Sequence, residues 1–200
     1  QYLVNGAYDN QEDTFYENIY LLLPGHVMTV DLSGNAVKVK KKKWWNPSID
    51  EDDSLSFKEA ADKLRHMFLD SVRLHLRSDV PLGAALSGGL DSSAVVCAMR
   101  YIEPSIPIHT FSYIEKNSPI NEEHWVNLVN AEVNAVAHKI TLNSDNLYHD
   151  LNNLIYSQGQ PFGSTSIFAQ YKVYEEAKKN GIKVTLDGQG ADELLAGYHG

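Results

Sequence analysis

From residue 81 onward the chain switches repeatedly between two hydrophobic periods, and no other feature narrows its fold so far. Apolar runs near 81–86, 107–113, 137–142 and 182–186 predict strands. Between them, apolar residues recurring at three and four predict helices over 91–101, 121–133, 145–157 and 166–179, with another starting near Ala191. Strand and helix in turn predict an α/β domain. Parallel strands need long crossovers, and each crossover helix has to bury its apolar stripe on a mostly parallel sheet with helices on both faces. A long helix should precede the first of these strands. Ser56 and Glu59 have capping-box spacing, and Ala60, Ala61, Leu64, Phe68, Leu69, Val72 and Leu76 follow at helical intervals to about Arg77. Its apolar face is expected to pack on the main domain.

The first 45 residues follow a different rule. "HVMTVDL" (26–32) and "AVKVK" (36–40) alternate with period two and are bounded by Pro24-Gly25 and Ser33-Gly34-Asn35, which predicts a β-meander. The run Lys40–Lys43 is read as a solvated strand end. Residues 46–55, "NPSIDEDDSL", combine Pro, Ser and acids without period and are expected to link a first domain (1–45) to a second (56–200). Phe15, Tyr16, Tyr20, Phe168 and Tyr171 are spaced as core residues, not interleaved with Arg or Lys as a nucleic-acid stacking platform would be.

Composition excludes several function classes. With 43% hydrophobic and 22% charged residues the 200-residue chain reads as globular, and a formal charge of −9 disfavours a nucleic-acid or anionic-membrane surface. Cys97 is the one cysteine, so no internal disulfide forms; among Ala94, Val95, Val96 and Ala98 it is expected to be a small buried residue. No apolar stretch has the length of a membrane span and no signal-peptide pattern opens the chain, so a cytoplasmic location is expected. The start at Gln1, without Met, and an end at Gly200 in what reads as a continuing helix suggest a piece of a longer protein. His66 and His75 fall on the long helix and His109 and His138 near strand starts, with no zinc-hydrolase spacing; structural or surface roles are expected.

The joint between the first strand and helix of the α/β region reads "SGGLDSS" (87–93). In an open parallel sheet ligands bind beyond the carboxyl ends of the strands, which is where this stretch falls. Gly88 and Gly89 free backbone N–H groups to close on an anion, Ser87, Ser92 and Ser93 add hydroxyls, and the following helix directs its positive end at the same point. Asp91 fits beside a phosphate only with a divalent cation between them, and Mg²⁺ is commonly held by one or two carboxylates plus phosphate oxygens. A Walker loop would need Gly-Lys-Ser/Thr, a dinucleotide fingerprint a third glycine, and a nucleophile elbow G-x-S-x-G; none is present.

"SGGLDSS" resembles the pyrophosphate loop of the N-type ATP pyrophosphatases. Together with "DVPLGAALSGGLDSS" and, about a hundred residues later, "LDGQGADELLAGY" (186–198), it is similar to the synthetase domain of the glutamine-dependent asparagine synthetases. Residues 1–45, with "TFYENIYLLLPGH" and then "KKWWNP", resemble the last strands of that family's glutaminase domain. The resemblance implies an adenine nucleotide α-hydrolase-like (PP-loop) fold. It also implies ATP-dependent adenylation of the aspartate side chain, amide transfer of glutamine-derived ammonia, and release of AMP and pyrophosphate.

The implied site is as follows. Asp91 and Asp192 share one Mg²⁺, Ser87, Gly88, Gly89, Ser92 and Ser93 hold phosphate, and Leu86, Tyr113, Asp187 and Gly188 line the adenosine side, chiefly through backbone groups. Residues 160–166, "QPFGSTS", lie by analogy near the amino-acid substrate. Gln189 stands where the best-known members carry a glutamate assigned a proton-handling role, and an amide is no general base near neutral pH.

The family's N-terminal cysteine nucleophile and its later lysine lie outside the sequence, so the chain alone is expected to be inactive. Three readings remain open: asparagine synthesis, with ATP, aspartate and ammonia as partners and a homodimer possible; a superfamily synthetase amidating or cyclising a different carboxylate, which Gln189 favours; and a non-catalytic nucleotide-binding module.

Overall fold

The computed structural model describes residues 2–6, 11–51, 54–115, 121–142 and 144–198; residues 52–53 of the expected linker and the last two of the expected C-terminal helix lie outside them. The chain divides into two units, Gln1–Ser54 and Leu55–Gly200.

In the first unit a one-turn helix, α1 (Tyr2–Asn5), is followed by an antiparallel ribbon of β1 (His26–Asp31) and β2 (Lys38–Lys43), with His26 opposite Lys43 and Asp31 opposite Lys38. Gly25 makes the entry: its φ is +69°, and its carbonyl accepts from Trp44 N and Trp45 N at 2.9 and 3.1 Å. Lys40–Lys43 form the exposed last part of β2, as expected of a solvated strand end, and pair with His26–Thr29 of β1. Among the described residues the meander reduces to this ribbon and one isolated bridge, Asp13 to Tyr20. A two-stranded ribbon has no second layer, so Phe15, Tyr16 and Tyr20, expected in a core, are exposed, as is every residue of β2.

The second unit opens with α2 (Phe57–His75). Its capping box is complete: Ser56 Oγ accepts from Glu59 N, and Glu59 Oε2 accepts from Ser56 N at 2.9 Å. Then follow β3 (Leu82–Ala85), α3 (Leu90–Ile102), β4 (His109–Tyr113), α4 (Glu123–Glu132), β5 (Val136–Ile140), α5 (Ser144–Gln158), α6 (Ser166–Lys179), β6 (Val184–Leu186) and α7 (Ala191–Leu195). The four strands pair in parallel in the order β5-β4-β3-β6, the α/β arrangement expected from the alternating periods.

Strand alternation sends neighbouring residues to opposite faces. Ala84, Leu86, Ile108 and Leu186 pack with Val95, Val96 and Met99 of α3 and Val126 and Val129 of α4, while α2 adds Val72 from outside. Ala85, Phe111 and Tyr113 point the other way, toward Val173 and Ala177 of α6. Gly83 permits this second layer, since a Cβ there would stand 2.9 Å from the Phe111 ring. One buried polar pair on the first face is satisfied across elements: Thr110 donates to Asn130 Oδ1 at 2.5 Å.

Two further expectations fail. Cys97 is exposed, because α3 buries the face carrying Val96, Ala98 and Met99 and turns position 97 outward. The last helix does not run on: α7 closes at Leu195, where Ala196 adopts φ +54° and Gly197 N bonds back to Asp192 O at 3.0 Å. Among the described residues no helix is long and apolar enough to cross a membrane.

Candidate active site

Strands β3, β4 and β5 step outward in one direction, and the chain then returns to place β6 on the other side of β3. That reversal opens a crevice beyond the carboxyl ends of β3 and β6, the position where doubly wound sheets bind ligands. A cavity of about 470 Å³ occupies it, a volume suited to a nucleotide-sized molecule.

One wall is the loop from Ser87 to Ser92. Gly88 has φ +95°, and a Cβ there would meet Glu122 O at 3.0 Å, so both conformation and space demand glycine. The loop is braced internally: Ser92 Oγ accepts from Ser87 N at 3.2 Å and pairs with Ser87 Oγ at 3.0 Å, while Gly89 N donates to Ser87 Oγ at 3.1 Å. Gly89 caps α3 with no side-chain bond, so the first helical N–H groups keep their capacity for an anion.

The second wall comes from β6 onward. Gly188 is pressed against the loop: a Cβ there would lie 2.8 Å from Ser92 N and 3.1 Å from Asp91 Cβ. Gly190 takes φ +92° with open space around it, so it serves the turn rather than the contact. Through this turn Asp187, Gly188, Gln189 and Asp192 reach the same cavity as Leu86, Ser87, Gly89, Asp91, Ser92 and Tyr113. Gly88 and Ser93 stand behind that wall, Gly88 shaping the loop and Ser93 continuing the helix through Ser93 N to Gly89 O.

The third wall was not legible in the sequence. Glu122, just ahead of α4, and Gln170, Val173 and Tyr174 of α6 also line the cavity. Spacing by four from Gln170 to Tyr174 marks one helix face, but nothing local says that this face looks into a site. Tyr174 donates to Asp187 Oδ2 at 2.8 Å and receives Gln170 Nε2 at 3.2 Å. Burial, and then its bond to Asp187, push the Tyr174 hydroxyl up to about 12. Burial and the charge of Glu115 push Tyr113 up as well. Asp187 Oδ1 is buried and accepts no hydrogen bond among the described residues.

Asp91 and Asp192 bring two carboxylates to one cavity. Among the described residues no three His, Cys, Asp or Glu side chains converge as a protein-only metal cage. Two carboxylates are nonetheless the donor set Mg²⁺ uses when water and phosphate oxygens complete its shell.

Comparison with known proteins shows the family. The family model described as asparagine synthase matches residues 63–200. Asparagine synthetase (glutamine-hydrolyzing) 1 of Bacillus subtilis strain 168 is 32% identical over 177 residues, covering 88% of this chain and 27% of its own length. The Penicillium rubens protein named amidase chyE is 23% identical over 201 residues, covering 92% of this chain and 30% of its own length. The chain thus spans under a third of either curated relative. Among solved structures, an NH3-dependent NAD synthetase from Campylobacter jejuni aligns with a TM-score of 0.44 and 16% identity, covering 73% of this chain and 62% of that one. With its strand-to-helix glycine loop and its family match over the whole of the sheet, the chain belongs to the asparagine synthase family.

Proposed function

We propose that this chain carries the ATP-binding part of a synthetase that activates a carboxylate by adenylation and converts it to an amide with ammonia, releasing AMP and pyrophosphate. The carrying observation is the contact between Gly188 and the Asp91–Ser92 turn, which joins two glycine motifs about a hundred residues apart into one cavity. In this reading the backbone N–H groups from Ser87 to Ser92 and the start of α3 bind the polyphosphate. Leu86, Tyr113, Asp187 and Gly188 hold the adenosine side, and the substrate carboxylate attacks the α-phosphorus with pyrophosphate leaving along the loop. Asp91 and Asp192 would hold Mg²⁺, which when bound neutralises charge on the phosphates.

Aspartate is the acceptor that family membership favours, with glutamine as the ammonia source. On this reading residues 1–45 are the closing strands of a glutaminase domain, and the protein works in the cytoplasm, alone or as a homodimer. A second reading, amidation or cyclisation of another carboxylate, is favoured by Gln189, which offers no proton acceptor where one is wanted, and by similarity to a protein named as an amidase.

The test is release of AMP and pyrophosphate by the complete gene product with a panel of carboxylic acids and ammonium. Turnover with aspartate establishes the first reading, turnover with other acids alone the second. No AMP with any acid, in the presence of Mg²⁺, overturns both and leaves a non-catalytic module.

A further inference from the structure

We propose that Asp187 is a catalytic residue of the amide-forming step, the carboxylate that takes the proton from the incoming amine, and that Tyr174 is its positioning residue. This rests on the amide-forming reading above. An ammonia nitrogen that bonds to an activated acyl carbon must lose a proton, and Gln189 cannot accept it near neutral pH.

Four carboxylates line the cavity: Asp91, Glu122, Asp187 and Asp192. Asp91 and Asp192 have the cation to hold. The Glu122 backbone packs against Gly88, behind the phosphate loop. Asp187 is the one with a buried oxygen, Oδ1, lacking a partner among the described residues. Its other oxygen is fixed. The Gln170 amide nitrogen can only donate, so its bond to Tyr174 at 3.2 Å leaves the phenol hydrogen for Asp187 Oδ2 at 2.8 Å. The chain Gln170, Tyr174, Asp187 therefore runs donor to acceptor in one direction and ends at a carboxylate whose buried Oδ1 has no partner among the described residues. Tyr174, pushed up to about 12, stays a donor throughout the neutral range. The titratable groups sharing this cavity with Asp187 are Tyr174 from α6, Tyr113 at the end of β4, Asp91, Glu122 and Asp192.

The step balances as follows. The nitrogen lone pair of ammonia forms the C–N bond at the acyl carbon, and an N–H proton passes to Asp187. The C–O bond to the adenylate breaks with its electron pair leaving on AMP, and Asp187 returns the proton to solvent.

The complete gene product separates the half-reactions. Carboxylate-dependent exchange of labelled pyrophosphate into ATP reads adenylation, and amide formation from ammonium chloride reads the second step. Asp187→Asn should lower amide formation about 10²- to 10⁴-fold and exchange by far less, since the adenosine side is held chiefly through backbone groups that the substitution keeps, with partial recovery of amide formation in Asp187→Glu. Tyr174→Phe should lower kcat of amide formation more than it lowers exchange, with KM for ammonia little changed, since the carboxylate stays in place but loses the donor that orients it.

Equal losses in both half-reactions on Asp187→Asn, or no loss in either, overturn the proposal. If that variant fails to fold, equal losses of exchange and amide formation in Tyr174→Phe do the same. Wild-type protein that exchanges pyrophosphate with no carboxylate instead removes the reading beneath it.

Discussion

Gly188 lies so close to Ser92 that a Cβ on it would stand 2.8 Å from the Ser92 amide nitrogen. Real Cβ atoms do not approach that far, and the obstacle is backbone, which cannot swing aside. Gly188→Ala must therefore push the β6–α7 turn off the Ser87–Ser92 loop. Overpacking of this kind costs about 1–3 kcal/mol, and Tm should fall by roughly 2–4 °C per kcal/mol in a domain of this size. ATP binding, followed by calorimetry, should weaken along with it. Gly190→Ala meets open space but a φ of +92°, so it should lower Tm through backbone strain alone.

Asp91 and Asp192 reach the cavity from two different strand ends, so neither is redundant if they share a cation. Asp91→Asn and Asp192→Asn should each weaken Mg²⁺-dependent ATP binding by more than about tenfold. Chelation by EDTA should bring the wild type to the level of the variants. Calorimetric titration with and without Mg²⁺ measures all three, and wild-type ATP affinity indifferent to Mg²⁺ would remove the metal assignment.

His138 lies on β5 with its Nε2 3.0 Å from His109 Nδ1, and its ring stacks on Phe111. One nitrogen of the pair must donate and the other accept, so the contact fails once both rings are charged. Burial, and then the nearby His109, hold His138 below its ordinary value of 6.5, with Glu176 opposing them. A histidine depressed in the folded state favours the neutral ring, so the folded chain binds fewer protons than the unfolded one. Stability is then kept above the ordinary value and lost as pH falls through the lowered one. Urea unfolding should give a falling midpoint from pH 7 toward pH 5.5, with a shallower slope in His138→Gln.

Thr110 and Asn130 are buried, and the threonine hydroxyl has the asparagine oxygen as its partner. Thr110→Val keeps the shape but strands that oxygen, at a cost of about 1–3 kcal/mol. Thr110→Val combined with Asn130→Leu removes both polar groups, and denaturant unfolding should show much of the loss recovered. A double variant as unstable as the sum of the two single ones would deny the coupling.

The sequence by itself determined which segments become strands and helices, where the Ser56 cap begins α2, and that a glycine-rich turn lies between β3 and α3. Each follows from hydrophobic period, capping chemistry or glycine within a few residues of where it acts. It did not determine the depth of single side chains: Cys97 was expected inside and is outside, because a helix in an apolar run still turns some positions away from the sheet. Hydrophobic period and capping did not determine the partners of the site either: resemblance alone put Asp187, Gly188 and Asp192 with Asp91. Tertiary structure alone decided the order β5-β4-β3-β6, which sets β6 beside β3 and carries Asp187, Gln189 and Asp192 to the cavity lined by Ser87, Gly89, Asp91 and Ser92. Glu122, Gln170 and Tyr174 entered the same cavity by that route. The physical reason is that parallel pairing is made by backbone groups alike at every residue, so the choice of neighbour is left to how whole layers bury their faces.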